Sequence, residues 1–154
     1  EDTGGSLFDK LATLGGELLL KAMKQLEAKC AERNVQDNEK ATNVKMIAKE
    51  MGRIDFTQSA IRIERLVRGL NPWPSAYTML EGRTLKIWKS EAVPGIYTAV
   101  PGEVVAVGKD SISVMTGEGV LIITELQLEG KKRMTVDAFL RGYPVKVGTQ
   151  FNVK

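Results

Sequence analysis

The stretch Leu70-Asn71-Pro72-Trp73-Pro74 divides this chain. Each proline fixes φ, lacks an N–H, and drives the residue before it away from helical geometry. Asn71 and Trp73 are therefore expected to run extended, and no helix passes through the segment. Everything upstream reads as helix and connecting chain, and everything downstream as short strands. Two structural roles fit. The segment is a rigid elbow that sets the orientation of the β part, or it is an ordinary helix stop with Trp73 buried as a plug.

Upstream, residues 3–29 read as one helix. Leu7, Leu11, Leu14, Leu18, Ala22 and Leu26 recur every three or four positions and form an apolar stripe, which Phe8, Leu19 and Met23 widen. Asp2 or Thr3 supplies the N-cap. Gly15-Gly16 predicts a break or a close packing contact. The stripe needs a cover. Docking on the chain's own core is the usual solution, and the body of a further domain is the other. Residues 30–53 are polar and irregular and read as a linker, with Val44–Ile47 as one apolar anchor and Ile54-Asp55-Phe56 as a second. Asp55 fits a hold on neighbouring backbone or an arginine or, more ordinarily, a surface position at a turn. Thr57 is expected to cap a helix ending near Leu70, whose face Ala60, Ile63, Val67 and Leu70 is buried. Arg62, Glu64, Arg65 and Arg68 lie off that face, as a solvated surface or one turned to phosphate.

Beyond the elbow, 76–80 and 84–93 flank the hairpin signal Glu81-Gly82-Arg83. Strands are also expected at 102–107, 111–115 and 120–128, with turns at Gly108-Lys109-Asp110 and Gly117-Glu118-Gly119. A short helix capped by Thr135 buries Ala138-Phe139-Leu140, and a brief strand near Phe151 closes the chain. Short strands at this spacing predict a mostly β fold, a small open barrel similar to an OB-fold, preceded by a helix-rich segment and linker.

Chemistry is constrained by what is missing. The 154 residues include no histidine, which removes the usual acid–base group at neutral pH, the commonest metal ligand, and every Ser-His or Cys-His nucleophile pair. The single cysteine, Cys30, excludes an internal disulfide and a thiolate zinc site. Asp2-Thr3-Gly4 is a cap rather than an acid catalyst, and Gly117-Glu118-Gly119 opens no helix, so it is not a phosphate loop. No apolar run reaches the length of a membrane span, and no metal site or membrane partner is expected. The net charge of +3 is compatible with an anionic partner.

Lys131-Lys132-Arg133 is the densest basic cluster, and basic loops on a small barrel suit nucleic acid. Lys86, Lys89, Arg141 and Lys146 extend it if the strands bring them together. Trp88 shares strand parity with Lys86. It fits a base-stacking role or, more ordinarily, a filler of the sheet surface.

These motifs, taken in order, resemble one family. Residues 2–11 with Gly15 resemble the last helix of the catalytic domain of methionyl-tRNA formyltransferase. Gln36-Asp37, Ala41-Thr42, Lys49-Glu50 and Arg53-Ile54-Asp55-Phe56 look like its linker. Asn71-Pro72-Trp73-Pro74, Leu85-Lys86-Ile87-Trp88-Lys89 and Gly130-Lys131-Lys132-Arg133-Met134 look like its C-terminal domain. The chain departs from the family at Asn43-Val44-Lys45-Met46-Ile47, where Tyr-Ala-Pro-Lys-Ile is usual, and at Phe56, where Trp is usual. The resemblance implies a division into 1–30, the terminal helix of a Rossmann-like catalytic domain; 31–56, a linker; and 57–154, the barrel with its leading helix. It implies an enzyme that formylates initiator methionyl-tRNA from 10-formyltetrahydrofolate, in the cytoplasm or an organelle matrix. The family's catalytic Asn, His and Asp would lie upstream, so no catalytic, cofactor or metal residue carries over and this part alone is expected to be inactive. What carries over is a tRNA-facing surface at Lys131, Lys132, Arg133, Lys86, Lys89 and Arg141. The elbow Asn71, Pro72, Trp73 and Pro74 would dock on the catalytic domain. A sister formyltransferase, a formyltetrahydrofolate hydrolase-dehydrogenase and a protein-docking module are the alternatives.

Overall fold

The computed structural model describes residues 2–95 and 97–152. Helix α1 spans Gly4–Glu27 and α2 spans Ala60–Gly69. Strands follow at Ala76–Leu80 (β1), Arg83–Val93 (β2), Val104–Val107 (β3), Ile112–Met115 (β4), Val120–Leu128 (β5) and Met134–Thr135 (β6), and α3 is Val136–Gly142. The strands form one antiparallel sheet in the order β1-β2-β5-β4-β3, with β6 also on β5. The terminal strands β1 and β3 do not pair with each other, so the barrel is open.

Alternation makes this sheet. Leu85 and Ile87 of β2, Ile112 and Val114 of β4, and Leu121, Ile123 and Leu126 of β5 are fully buried and face one core. Helix α2 covers that core with Ile63 and Val67, and α3 with Val136 and Phe139. The side of α3 expected to be buried is corrected in part. Phe139 is buried, but its companion is Val136, with Ala138 and Leu140 only half-buried. Glu81 and Gly82 close the first hairpin with φ of 48° and 75°, the left-handed pair of a type I′ turn.

The two ends of the β unit are stitched into it. Ile54 and Phe56 are buried, and the Ile54 N–H donates to the Tyr77 carbonyl at 2.9 Å. Gly117 donates to the carbonyls of Phe56 and Gln58, at 2.8 and 3.0 Å. The second anchor therefore holds. The first does not, because Val44 and Met46 are each 91% exposed and nothing on the β unit receives them. Asp55 takes the backbone option, accepting from the Thr57 N–H and hydroxyl and from the Gln58 amide. Thr57 is thereby diverted, and Ser59 is the N-cap of α2. No strand forms around Phe151, where the chain turns. Among the described residues the segment pairs through one bridge, Glu103 to Gln150, and through the Phe151 N–H, which donates to the Gly102 carbonyl at 2.9 Å.

Helix α1 departs from its expected docking on the chain's own core. None of its residues is buried, and Leu11, Leu14 and Leu18 face solvent. Gly15-Gly16 makes neither a break nor a packing contact: the helix runs straight through, and nothing lies within 4 Å of either Cβ position. With no element packed there, the small residues have nothing to admit. Thr3 caps the helix, its hydroxyl accepting from the Ser6 N–H while the Ser6 hydroxyl oxygen accepts from the Thr3 N–H.

The first turn of α1 is nevertheless fixed to the elbow. Gly5 N–H donates to the Asn71 carbonyl at 2.8 Å, and the Arg68 guanidinium donates to the Asp2 carbonyl at 3.0 Å. A Cβ on Gly4 would lie 2.3 Å from the Gly69 carbonyl oxygen, so only glycine allows this approach. The elbow itself is a turn rather than an extended run. Ser75 N–H closes it onto the Leu70 carbonyl at 2.9 Å, and both X-Pro bonds are cis. Trp73 is 59% exposed, so it is no plug. The core beneath is already filled by aliphatic side chains of α2 and β2.

Candidate nucleic-acid interface

The register of β2 on β5 shifts at Trp88. Ile87 faces Leu126 and Lys89 faces Glu125, leaving Trp88 as an extra residue; the next step, Ser90 to Ile123, restores the register. Such a bulge re-aims a side chain. Strand parity already sets Trp88 beside Lys86 on the outer face; the bulge turns out Lys89, which has the parity of the buried Leu85 and Ile87 yet is exposed. The Trp88 Nε1–H donates to Gln127 Oε1 at 3.2 Å, which fixes the ring. The Arg133 guanidinium stands 4.8 Å from the ring centroid and the Lys86 ammonium 5.9 Å, both within cation–π range.

Arg133 is held by a second contact. Its fork donates to both oxygens of Glu125, at 2.7 and 2.6 Å. The Arg133 hydrogen bonds hold the Glu125 carboxyl below its ordinary value of 4.5 and raise the guanidinium further above its own. A depressed carboxylate contributes above its unfolded pKa and loses that contribution only as pH falls through the folded one. The clamp on Trp88 is therefore expected to persist through the ordinary carboxylate range and open below it. Indole fluorescence in a Trp73→Phe background measures this, and a change centred at or above 4.5 would contradict it.

Of the six basic residues read from the sequence, the structure gathers most. Lys86 and Arg133 flank Trp88. Lys89 lies opposite Glu125 in register and is exposed. Lys131 and Lys132 are exposed in the turn after β5, which is pinned by Gln127 Nε2 donating to the Lys131 carbonyl at 2.9 Å. Arg141 stands apart on α3, paired with Asp137 at 3.0 Å, and Lys146 is exposed beyond it. The elbow adjoins the patch through Asn71, whose side-chain amide donates to the Trp88 carbonyl at 3.3 Å. Sequence reasoning missed Gln127 and Glu125, the residues that orient Trp88 and Arg133. Their signal is cross-strand register, which a single strand does not carry.

The arrangement is an indole under two cations, with Lys89 exposed on the same strand and Lys131 and Lys132 exposed in the turn before Arg133. Arg133 is neutralised by Glu125, so it positions the ring, while Lys86, Lys89, Lys131 and Lys132 are left to meet an anion. General acid–base work has little support. Every described carboxylate with a resolved shift (Asp2, Asp37, Asp55, Glu125 and Asp137) is lowered by hydrogen bonding, which keeps it ionised rather than ready to deliver a proton. Among the described residues, no helix is long and apolar enough to cross a membrane.

Similarity to known proteins runs along nearly the whole chain. The family model "Formyl transferase, C-terminal domain" matches residues 46–144. A methionyl-tRNA formyltransferase of Agathobacter rectalis is 48% identical over 153 residues, which cover 99% of this chain and 49% of that protein. One from Desulfotalea psychrophila is 41% identical over 154 residues, 100% of this chain and 47% of that protein. The chain thus spans about half the length of the curated relatives it matches. Among solved structures, HypX from Aquifex aeolicus in complex with tetrahydrofolic acid superposes with a TM-score of 0.56. It has 20% identity and covers 90% of this chain and 26% of that one, a likeness of fold alone. With the match extending over most of the β unit and α2, this chain belongs to the formyl transferase C-terminal domain family.

Proposed function

We propose that this chain is the C-terminal, tRNA-binding part of a methionyl-tRNA formyltransferase, acting in the cytoplasm. The enzyme would transfer the formyl group of 10-formyltetrahydrofolate to the amino group of the methionine on initiator tRNA. The observation that carries the tRNA-binding role is the fixed Trp88 indole under Lys86, with Lys89 exposed on the same strand and Lys131 and Lys132 exposed in the turn that leads to Arg133. It occurs in a chain similar to methionyl-tRNA formyltransferases along nearly its whole length. Residues 1–30 are proposed as the end of the catalytic domain, 31–56 as linker and 57–154 as the barrel. The uncovered leucines of α1 and the exposed Val44 and Met46 of the linker suit a cover supplied by the catalytic body, on which the elbow would also dock. The residues present do not fit a folate or formyl-transfer site, since the chain lacks histidine and its shifted carboxylates are held ionised. No step of the transfer is assigned to them.

The lysines would meet the RNA through phosphates, which gives affinity that falls with salt and carries little sequence information. Paired RNA is met mainly through shape and phosphate contacts. Binding of this chain to bulk tRNA, followed by fluorescence at low and moderate salt, tests the reading. Saturable, salt-sensitive binding is expected. Lys131→Glu with Lys132→Glu is expected to weaken it about tenfold or more and to lower the salt slope by about 1 for each lost contact. Unchanged affinity at low salt would remove the patch. No binding by the parent chain would favour a sister formyltransferase or a protein-docking module.

A further inference from the structure

A second basic site lies on the other flank of α2. Glu64, Val67 and Arg68 turn towards the Trp88 side, where Arg68 is engaged by Glu64 at 2.9 Å. Arg62 and Arg65, three positions apart, turn the other way and line a separate concavity with Arg53, Asp55, Gln58, Ile63 and Leu66. The three arginines are exposed and form no ion pair among the described residues. The one acid there, Asp55, has its oxygens occupied by Thr57 and Gln58, at 2.7 to 3.0 Å, and only its field reaches Arg62. The site is therefore left with three guanidinium groups against one carboxylate.

The backbones that carry these arginines are held in place. Arg53 sits in a bridge to Tyr77, next to the buried Ile54, and Arg62 and Arg65 bracket the buried Ile63 on α2. Like charges held together on rigid backbone repel, and an anion relieves that repulsion. The guanidinium fork matches phosphate oxygens in a way an ammonium does not. We infer that Arg53, Arg62 and Arg65 form a binding site for a phosphate group, separate from the Trp88 patch, and that the phosphate comes from an RNA backbone. A helix with its side chains is about 10–12 Å across. One polynucleotide can therefore touch the basic groups on both flanks of α2, whereas a small phosphate compound reaches only one.

The phosphate assignment stands by itself, while its RNA source rests on the function proposed above. The test compares the parent chain, Arg62→Gln with Arg65→Gln, and a control, Lys109→Gln, in a turn outside both sites. Inorganic phosphate is titrated while the arginine Nε–H signals are followed by NMR, and tRNA affinity is measured against salt. In the parent chain, saturable phosphate shifts at Arg53, Arg62 and Arg65 are expected. The double variant should lose them and should lower the tRNA salt slope by about 2, with the control unchanged. Phosphate shifts with an unaltered tRNA slope would keep the site but overturn its RNA source, making the ligand a small phosphate compound. Phosphate shifts in a parent chain that binds no tRNA would uphold the site and sink the tRNA reading. Absent phosphate shifts, or an equal slope change in the control, would overturn the site itself.

Discussion

Gly117→Ala is expected to cost this protein about 3 kcal/mol of stability, at the upper end for overpacking. The new methyl carbon would lie 1.9 Å from the Thr57 carbonyl oxygen and 2.7 Å from its carbon. Both are backbone atoms, so no side chain can swing aside. The same glycine donates its N–H to the Phe56 and Gln58 carbonyls, so any retreat breaks the stitch between the β4–β5 turn and the segment entering α2. Urea denaturation should show a lower midpoint at unchanged slope. Gly142→Ala, with nothing within 4 Å of its Cβ position, serves as the comparison and should stay within about 1 kcal/mol of the parent. A parent-like midpoint for Gly117→Ala would mean that this close approach does not exist in solution.

Phe151→Ala is expected to be at least as damaging, about 3–5 kcal/mol. The ring is 1% exposed and lies 6.1 Å, centroid to centroid, from Phe56, which itself comes from the segment ahead of α2. The Phe151 N–H is tied to the Gly102 carbonyl at 2.9 Å. The side chain thus joins the tail of the barrel to its entry strap. Residues this close to a chain end are often frayed. A small effect would therefore place Phe151 among frayed residues instead of in the core. Differential scanning calorimetry of parent and variant separates the two, since a core loss lowers the transition temperature by several degrees per kcal/mol.

What could be read from the residues was whatever depended on local pattern. The bounds of β1 and β5, the buried face of α2, the Glu81-Gly82 hairpin and the Thr135 cap all follow from alternation, spacing and turn chemistry. Misreadings arose where a residue's fate depends on which partner claims it. Thr57 and Ser59 are equally good caps by composition, and the choice fell to Asp55, which captures the Thr57 hydroxyl. Trp73 looks like a plug until the core is seen to close without it. The basic residues of the candidate interface were legible as charges. Their grouping was legible only in part: shared parity sets Trp88 beside Lys86, but the bulge that turns Lys89 outward exists only in the register of β2 on β5. Arg133 carries the same lesson: it belongs to a run of three cations, yet Glu125 claims it from across the sheet.

Among the described residues, the hydrogen bonds and close approaches that join helix α1 to the barrel lie at its N-terminal end, at Asp2, Gly4 and Gly5. Its 24 residues make a rod about 36 Å long, at roughly 1.5 Å per residue. A pivot at one end of such a rod multiplies small angles: by the same dimensions, a tilt of about 10° carries the far end about 6 Å. The hydrogen bonds at Asn71 and Arg68 therefore act as a bearing. Whatever is mounted on the distal turns of α1 takes its aim, relative to the Trp88 surface, from two glycines at the hinge.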